Sequence, residues 1–420
     1  MVVGLPCSRE GRTLKILISA YACESGRGGE GEIAWRMVQY LAERHEVWVI
    51  TRANLRSTHE NLFSAQPRPK GLHFVYFDLP WILRFYKRGK RFFLLYYYFW
   101  QLGSGLLARK LMEKGNFDLC HHLTGGMDWM PSGLALCKGP LLWGPVGSED
   151  THPVILRKLG LMSRVKDGLR FMTRSVMRHV DPFVRLSGRR ACVVLSHTPE
   201  TMPPRLTDKV KPFTQTGIEN TPDIARPKEH VGRAGPLRIL FAGELKDWKG
   251  ALFALNAALK YFERSACGAV LTVVGDGPLY GEMREVIANH PEGYRVIMTG
   301  KVPMERIVTM MQESDLFLYP SFHHGLATVV LQAMLTGVPV VCIEGDATGR
   351  SVRNDAGITV ALHVDRDPVA DLADAIEVLA NDEAHRQSLA VEGQRIARER
   401  YTYASLAGGI EHVYRHIREA

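Results

Sequence analysis

Ser314–Gly349, SDLFLYPSFHHGLATVVLQAMLTGVPVVCIEGDATG, decides how the rest of this chain is read. Its run DLFLY (315–319) is apolar and short, which predicts a buried strand. A Pro320-Ser321 turn, two histidines (His323, His324) and Gly325 follow. TVVLQAMLTG (328–337) has the length of a helix and ends on a glycine, and VPVVCI (338–343) is β-branched enough for a second strand. Strand, turn, helix and strand with so little slack make a βα unit of a parallel sheet.

The same alternation extends in both directions. Upstream lie LRILFAGE (237–244), ALFALNAALKYF (251–262), GAVLTVVGDG (268–277) and YRVIMTG (294–300); GITVAL (357–362) lies downstream. The first half repeats the pattern in LKILISAY (14–21), EIAWRMVQYLAERH (32–45), EVWVIT (46–51), LHFVYFDL (72–79), FDLCHHLT (117–124), GPLLWGPVG (139–147) and ACVVLSHT (191–198). Between the two sets stands a Pro- and charge-rich passage, TPDIARPKEHVGRAGP (221–236). Two successive sets of βα units predict an α/β protein of two Rossmann-like, doubly wound domains facing one another across a cleft, with boundaries placed at 1–205 and 206–401. Ligands of such sheets sit beyond the carboxyl ends of the strands, so the loops after strands are where chemistry is sought.

Composition agrees with a globular chain. It has 420 residues, too many for one core, with 46% hydrophobic and 23% charged residues, which excludes disordered and fibrous classes. The seven cysteines (7, 23, 120, 137, 192, 267, 342) include no C-x-x-C pair, so neither a disulfide framework nor structural zinc is expected. The chain reads as reduced and cytoplasmic, without a signal peptide. Net charge is +9, and it is regional: 81–114 carries +7 and 151–190 carries +8, leaving −6 for the remainder. Such basic regions suit a phosphate-rich or anionic-membrane partner or form a solvated face; no familiar nucleic-acid recognition module appears, and none is expected to bind.

Two loops repeat a strand, glycine turn, helix logic. ACESGRGGEGEIAW (22–35) carries Gly26, Gly28, Gly29 and Gly31, which would let backbone approach an anion at a helix N-terminus or simply make a tight turn. Its spacing is not G-x-G-x-x-G with a distant acid, so no nicotinamide dinucleotide is expected. ILFAGELKDWKG (239–250) places Lys249 just before Gly250, where an ammonium could meet a phosphate held by helix N–H groups or stand as an exposed first-turn lysine.

At this point the chain resembles a known family. SFHHGLATVVLQAMLTGVPVV within the opening stretch is similar to the P-S-x-x-E-G-x-x-x-x-x-L-E-A-M-x-x-G-x-P-V-V signature of glycosyltransferase family 4, retaining sugar transferases of the GT-B fold. GRGGEGEIAW resembles the family's N-terminal glycine loop, LRILFAGELKDWKG its G-R-L-x-x-x-K-G donor-phosphate motif, LTVVGDGP its V-G-x-G-P turn, and YTYASLAGGIEHVYRHI the closing helix (402–420) that crosses back to the N-terminal domain. The likeness runs from about Leu14 to about Ile417.

The resemblance implies a transferase that moves a sugar from a nucleotide-diphosphate donor to a hydroxyl of a saccharide or lipid-linked acceptor, in cell-surface polysaccharide or glycolipid synthesis. It implies retention, no cofactor and no metal. Lys249 would bind the diphosphate, with Gly28 and Gly29 facing it from the other domain, and His122 would stand beside the donor sugar. Gly325, Leu326 and Ala327 would offer N–H groups, Thr328 and Val329 would begin the helix aimed at the diphosphate, and Thr299 to Val302 would edge the nucleobase. Three positions depart from the signature. His324 stands where a glutamate holds sugar hydroxyls, Gln332 where a glutamate grips the ribose diol, and Glu244 where an arginine is usual; Lys246 or Lys249 could neutralise Glu244. These departures keep open a non-catalytic nucleotide-sugar binder or partner subunit. Finally, WILRFYKRGKRFFLLYYYFWQLGSGLLARKL (81–111) joins basic residues to aromatics, either to meet an anionic bilayer as a peripheral contact of 81–114 or to pack a helix on the N-domain core. The oligomeric state cannot be read.

Overall fold

The computed structural model describes residues 12–26, 29–86, 91–148, 161–214, 216–219, 235–265, 268–322, 325–344, 347–363 and 365–419. They fall into two units, the first within the bounds Met1–Ser148, Val165–Gln215 and Tyr403–Ala420, the second within Glu149–Arg164 and Thr216–Thr402.

In the first unit seven strands form one parallel sheet in the order β3-β2-β1-β4-β5-β6-β7: β1 Lys15–Ser19, β2 Glu46–Arg52, β3 Leu72–Phe77, β4 Leu119–His122, β5 Leu141–Val146, β6 Ala191–Ser196 and β7 Val210–Pro212. Central strands are apolar because helices cover both faces. On one face the helix Gly29–Ala42 buries Trp35, Met37, Val38 and Leu41, next to the closing helix Tyr403–Glu419 with Leu406, Ile410 and Tyr414. On the other, the helix Phe93–Gly115 buries Tyr96, Tyr97 and Trp100. The closing helix is fixed by hydrogen bonds as well as packing: His121 Nδ1 lies 2.6 Å from the Tyr414 hydroxyl, and its Nε2 lies 2.8 Å from the Gly144 carbonyl oxygen.

The second unit has a six-stranded parallel sheet in the order β10-β9-β8-β11-β12-β13: β8 Leu237–Ala242, β9 Ala269–Val274, β10 Val296–Gly300, β11 Leu316–Tyr319, β12 Val340–Ile343 and β13 Gly357–Val360. One continuous core joins it to the helices Ala251–Arg264, Thr328–Leu335 and Pro368–Asn381. The stretch that opened the sequence reading is β11, the helix Thr328–Leu335 and β12. Both sheets are therefore doubly wound, as the sequence predicts. Chain direction across the sheet reverses between β1 and β4 in the first unit and between β8 and β11 in the second, and those two switch points are where loops diverge and leave room for a ligand. The first unit runs past residue 205 because β7 adds a last strand to its sheet.

Candidate active site

The switch point of the second unit is assembled by its own backbone. After β8 the chain passes through a single turn of 3-10 helix, Asp247–Lys249, into Gly250, whose φ of 71° is left-handed. A side chain there would stand 2.0 Å from the Pro320 carbonyl oxygen, so glycine is required both for conformation and for the close approach of the two loops. The Trp248 carbonyl accepts a hydrogen bond from the Phe322 N–H (2.9 Å) and another from the Ser321 hydroxyl (3.3 Å). The lysine turn and the Pro-Ser turn are thus one structure. Lys249 is half-buried, its Nζ 4.4 Å from the Trp248 ring centroid and 5.8 Å from that of Tyr319, over ring faces that favour the charged ammonium. Glu244, the awkward carboxylate, is held by Lys246 (Oε1 to Nζ, 2.6 Å), which decides between the two cations the sequence offered.

Across the switch, Gly325 and Leu326 turn their carbonyls away to Thr348 Oγ1 (3.4 Å) and Thr216 Oγ1 (2.8 Å), while the Leu326 side chain joins the core. Ala327 is extended, and the helix of Thr328, exposed, and Val329, half-buried, starts with no side-chain cap. Helix starts leave N–H groups to be met by solvent or by an anion. Gln332 is buried one turn in, and its Oε1 has no hydrogen-bond partner among the described residues. A buried amide oxygen without a donor suits a ligand hydroxyl. His324 and its neighbour His323 lie outside the described residues.

Thr299 lies near the end of β10 and Val302 just beyond it, two strands from β8 and so roughly 10 Å from it. The strand ends between are tied edge to edge, since the Gly275 N–H donates to the Gly300 carbonyl (2.9 Å) and the Gly243 N–H to that of Val274 (3.0 Å). Thr299 spends its hydroxyl on the Gly300 carbonyl (3.1 Å), and Val302 packs half-buried on the core. The carboxyl edge of this sheet thus joins the lysine turn to the Pro-Ser turn after β11 and keeps 299–302 apart, two strands away.

The first unit's switch point is built from other chemistry. Gly29, with φ of 66°, opens the helix after β1, whereas Gly28 lies outside the described residues. Glu30, which the sequence reading passed over, turns its Oε1 to the N–H groups of Gly125 (2.6 Å) and Gly126 (3.1 Å) in the loop after β4. A carboxylate in the first turn after a glycine pair was the available signal. His122, the last residue of β4, is buried, with Nδ1 unpartnered among the described residues; burial pushes its pKa down to about 4, so it is a neutral imidazole near pH 7. Burial takes neighbouring His121 to about 3.

Residues 236–382 match the family model described as glycosyl transferases group 1. This part of the chain is similar to the glycosyltransferase domains that the model describes. The matched segment contains the whole lysine turn, the 325–332 segment and Thr299. Over 289 residues the chain is 28% identical to the 2-deoxystreptamine N-acetyl-D-glucosaminyltransferase of Streptomyces fradiae, covering 65% of each protein. It is 26% identical over 239 residues to a putative colanic acid biosynthesis glycosyltransferase of Escherichia coli, covering 51% of this chain and 57% of that one. The match therefore spans somewhat less than two thirds of either relative. Among solved structures, a glycosyltransferase of Rickettsia africae aligns over 97% of this chain and 99% of its own at 13% identity, TM-score 0.61. The Anabaena protein HepE in complex with UDP and glucose aligns over 95% and 99% at 16% identity, TM-score 0.56. At such identities the likeness concerns the fold: two Rossmann-like units of the GT-B kind.

Proposed function

We propose that the protein is a retaining, metal-independent glycosyltransferase of family 4 that moves a hexosyl group from a nucleotide-diphosphate sugar to a hydroxyl of a saccharide or lipid-linked acceptor, in cell-surface polysaccharide or glycolipid synthesis. The observation that carries the reading is the joined turn at the β8/β11 switch point, where Lys249 and an uncapped helix start share one backbone scaffold. Relatives named as transferases of N-acetylglucosamine and in colanic acid synthesis support it, as does a neighbour holding UDP and glucose.

In this reading Lys249 and the N–H groups at Gly325 to Val329 receive the diphosphate and stabilise the charge that grows on it as the bond to the sugar breaks. Gln332 takes a ribose hydroxyl on its unpartnered Oε1. Thr299 and Val302 border the base. Neutral His122, with a free ring nitrogen, donates to or accepts from a sugar hydroxyl. The acceptor attacks the anomeric carbon from the side the diphosphate leaves, its proton passing to a departing phosphate oxygen, so no protein nucleophile is assigned. A peripheral membrane contact through 81–114 would bring a lipid-linked acceptor within reach, on the cytoplasmic face of a membrane.

A thermal-shift titration with UDP, GDP, ADP and their sugar conjugates tests this, because a ligand bound only to the native state raises its melting temperature. We expect a selective rise that disappears in Lys249→Ala. A rise unaffected by that change refutes the site, and nucleotide binding without any sugar transfer or donor hydrolysis leaves the non-catalytic binder as the better reading.

A further inference from the structure

The helix Leu161–Val180 is mounted the wrong way round for a soluble protein. Val165, Leu169, Met172, Val176 and Val180 recur at helical spacing on one stripe, and each is more than half exposed. What the helix buries is charge: Arg178 is nearly covered, its Nε 2.9 Å from Asp128 Oδ2 and its NH2 group 3.0 Å from the Ser148 hydroxyl, with Met177 half-buried beside it. A buried arginine–aspartate pair fixes rotation about the helix axis, since turning the apolar stripe inward would strand both charges. The outward stripe is held in place by that pair.

It does not stand alone. At its end Asp181 Oδ2 accepts a hydrogen bond from the Tyr98 hydroxyl (2.8 Å), joining it to the helix Phe93–Gly115, which exposes Leu94, Leu95, Phe99 and Leu106 on the face opposite Trp100. Phe92 packs edge-on to Tyr86 (6.4 Å), and Trp81, Ile82, Leu83 and Phe85 are exposed nearby, where Arg84 and Tyr96 share Asp78. Lys166 and Arg170 flank the stripe and are exposed. The two segments coincide with the +7 and +8 stretches of a chain whose remaining residues sum to −6.

We infer that this surface of the first unit seats on an anionic bilayer, with the helix Leu161–Val180 lying in the plane of the interface, its apolar stripe among the acyl chains and Lys166 and Arg170 at the headgroups. An apolar stripe bordered by cations, next to exposed tryptophan and phenylalanine, is the composition of an interfacial helix. No helix among the described residues is long and apolar enough to cross a membrane, so seating rather than spanning is the mode. The inference rests on the membrane contact proposed above and extends it to a helix outside 81–114; it needs no transferase activity.

The test is flotation of the full chain with vesicles of phosphatidylcholine containing phosphatidylglycerol, and with phosphatidylcholine alone. We expect binding to the anionic vesicles that weakens as salt rises, and a drop of about tenfold or more in Leu169→Asp/Met172→Asp. Both substituted side chains are exposed, so the melting temperature and its nucleotide-induced rise should be kept. Equal binding of that variant and the unaltered chain overturns the inference. If Trp81→Asp/Phe85→Asp alone weakens binding, contact through 81–114 stands and the in-plane helix falls. If the unaltered chain sediments without lipid as a dimer that Leu169→Asp/Met172→Asp dissociates, a second copy covers the face and the inference falls too.

Discussion

The β1/β4 and β8/β11 switch points are the same device made twice, and they differ in the charged residue each loop carries: Glu30 in the first, Lys249 in the second. In the second unit a glycine turn and a lysine stand in the loop after β8, the helix after β11 starts without a side-chain cap, and Glu244 is drawn off by Lys246. In the first, the amides of Gly125 and Gly126 already hold the carboxylate of Glu30. A glycine-rich strand-to-helix turn is therefore not by itself an anion site.

The largest effect expected from breaking this contrast is at Lys249. Loss of one charge-stabilising group costs about a hundred- to a thousandfold in kcat, so Lys249→Ala should lose at least that in a sugar-transfer assay. Lys249→Arg should recover only part, because a planar guanidinium replaces a compact ammonium held over Trp248. Wild-type kcat in Lys249→Ala would mean that the second switch point has no catalytic charge.

Next in size is Glu30. Removing the carboxylate leaves two amide donors without their acceptor, and each buried, unmet donor costs about 1–3 kcal/mol. Glu30→Ala should lower the urea midpoint accordingly, with Glu30→Gln losing less because its amide oxygen can still accept. An unchanged midpoint in Glu30→Ala would show that the first loop is not plugged from within.

The histidines after β4 sharpen the contrast through pH. His121 and His122 have native pKa values depressed to about 3 and about 4, so as pH falls through the ordinary histidine value near 6.5 the unfolded chain takes up protons first. Their stabilisation is complete above that value and is lost on acidification, at roughly 1–2 kcal/mol per histidine between pH 7 and pH 5. Urea midpoints should therefore fall over that range, and less steeply in His122→Asn. Equal slopes would place His122 in a wetter setting than burial implies.

Much of this was legible in the sequence because the informative residues act locally. The strand runs, the glycine before each helix and Lys249 beside Gly250 are decided within a dozen residues, and the second half of the chain reads almost directly as its sheet. Glu30 was not legible, because its partners lie in the loop after β4, and which acid meets which amide is a matter of tertiary pairing. Nor was the rotation of the helix Leu161–Val180: its periodicity announces an apolar stripe, but only the distant Asp128 shows which side faces in. The aromatic helix packs on the first unit's core through Tyr96, Tyr97 and Trp100, one of its two readings, and leaves Leu95 and Phe99 exposed.

Gln332 offers the finest discrimination. Its buried Oε1 lacks a donor among the described residues, and its place one turn into the helix Thr328–Leu335 puts it beside the start that would receive a phosphate. If a ribose hydroxyl is the missing partner, Gln332→Glu strengthens that bond by putting charge on the acceptor, and hydrogen bonds to charged groups are worth more than neutral ones by about 1 kcal/mol. The donor KM should then fall by roughly fivefold at unchanged kcat, whereas Gln332→Leu, of similar volume and without the orphan oxygen, should raise KM with little loss of stability. A rise in KM for the glutamate variant would point instead to the cost of burying a second negative charge near a diphosphate, and would place Gln332 closer to the phosphates than to the ribose.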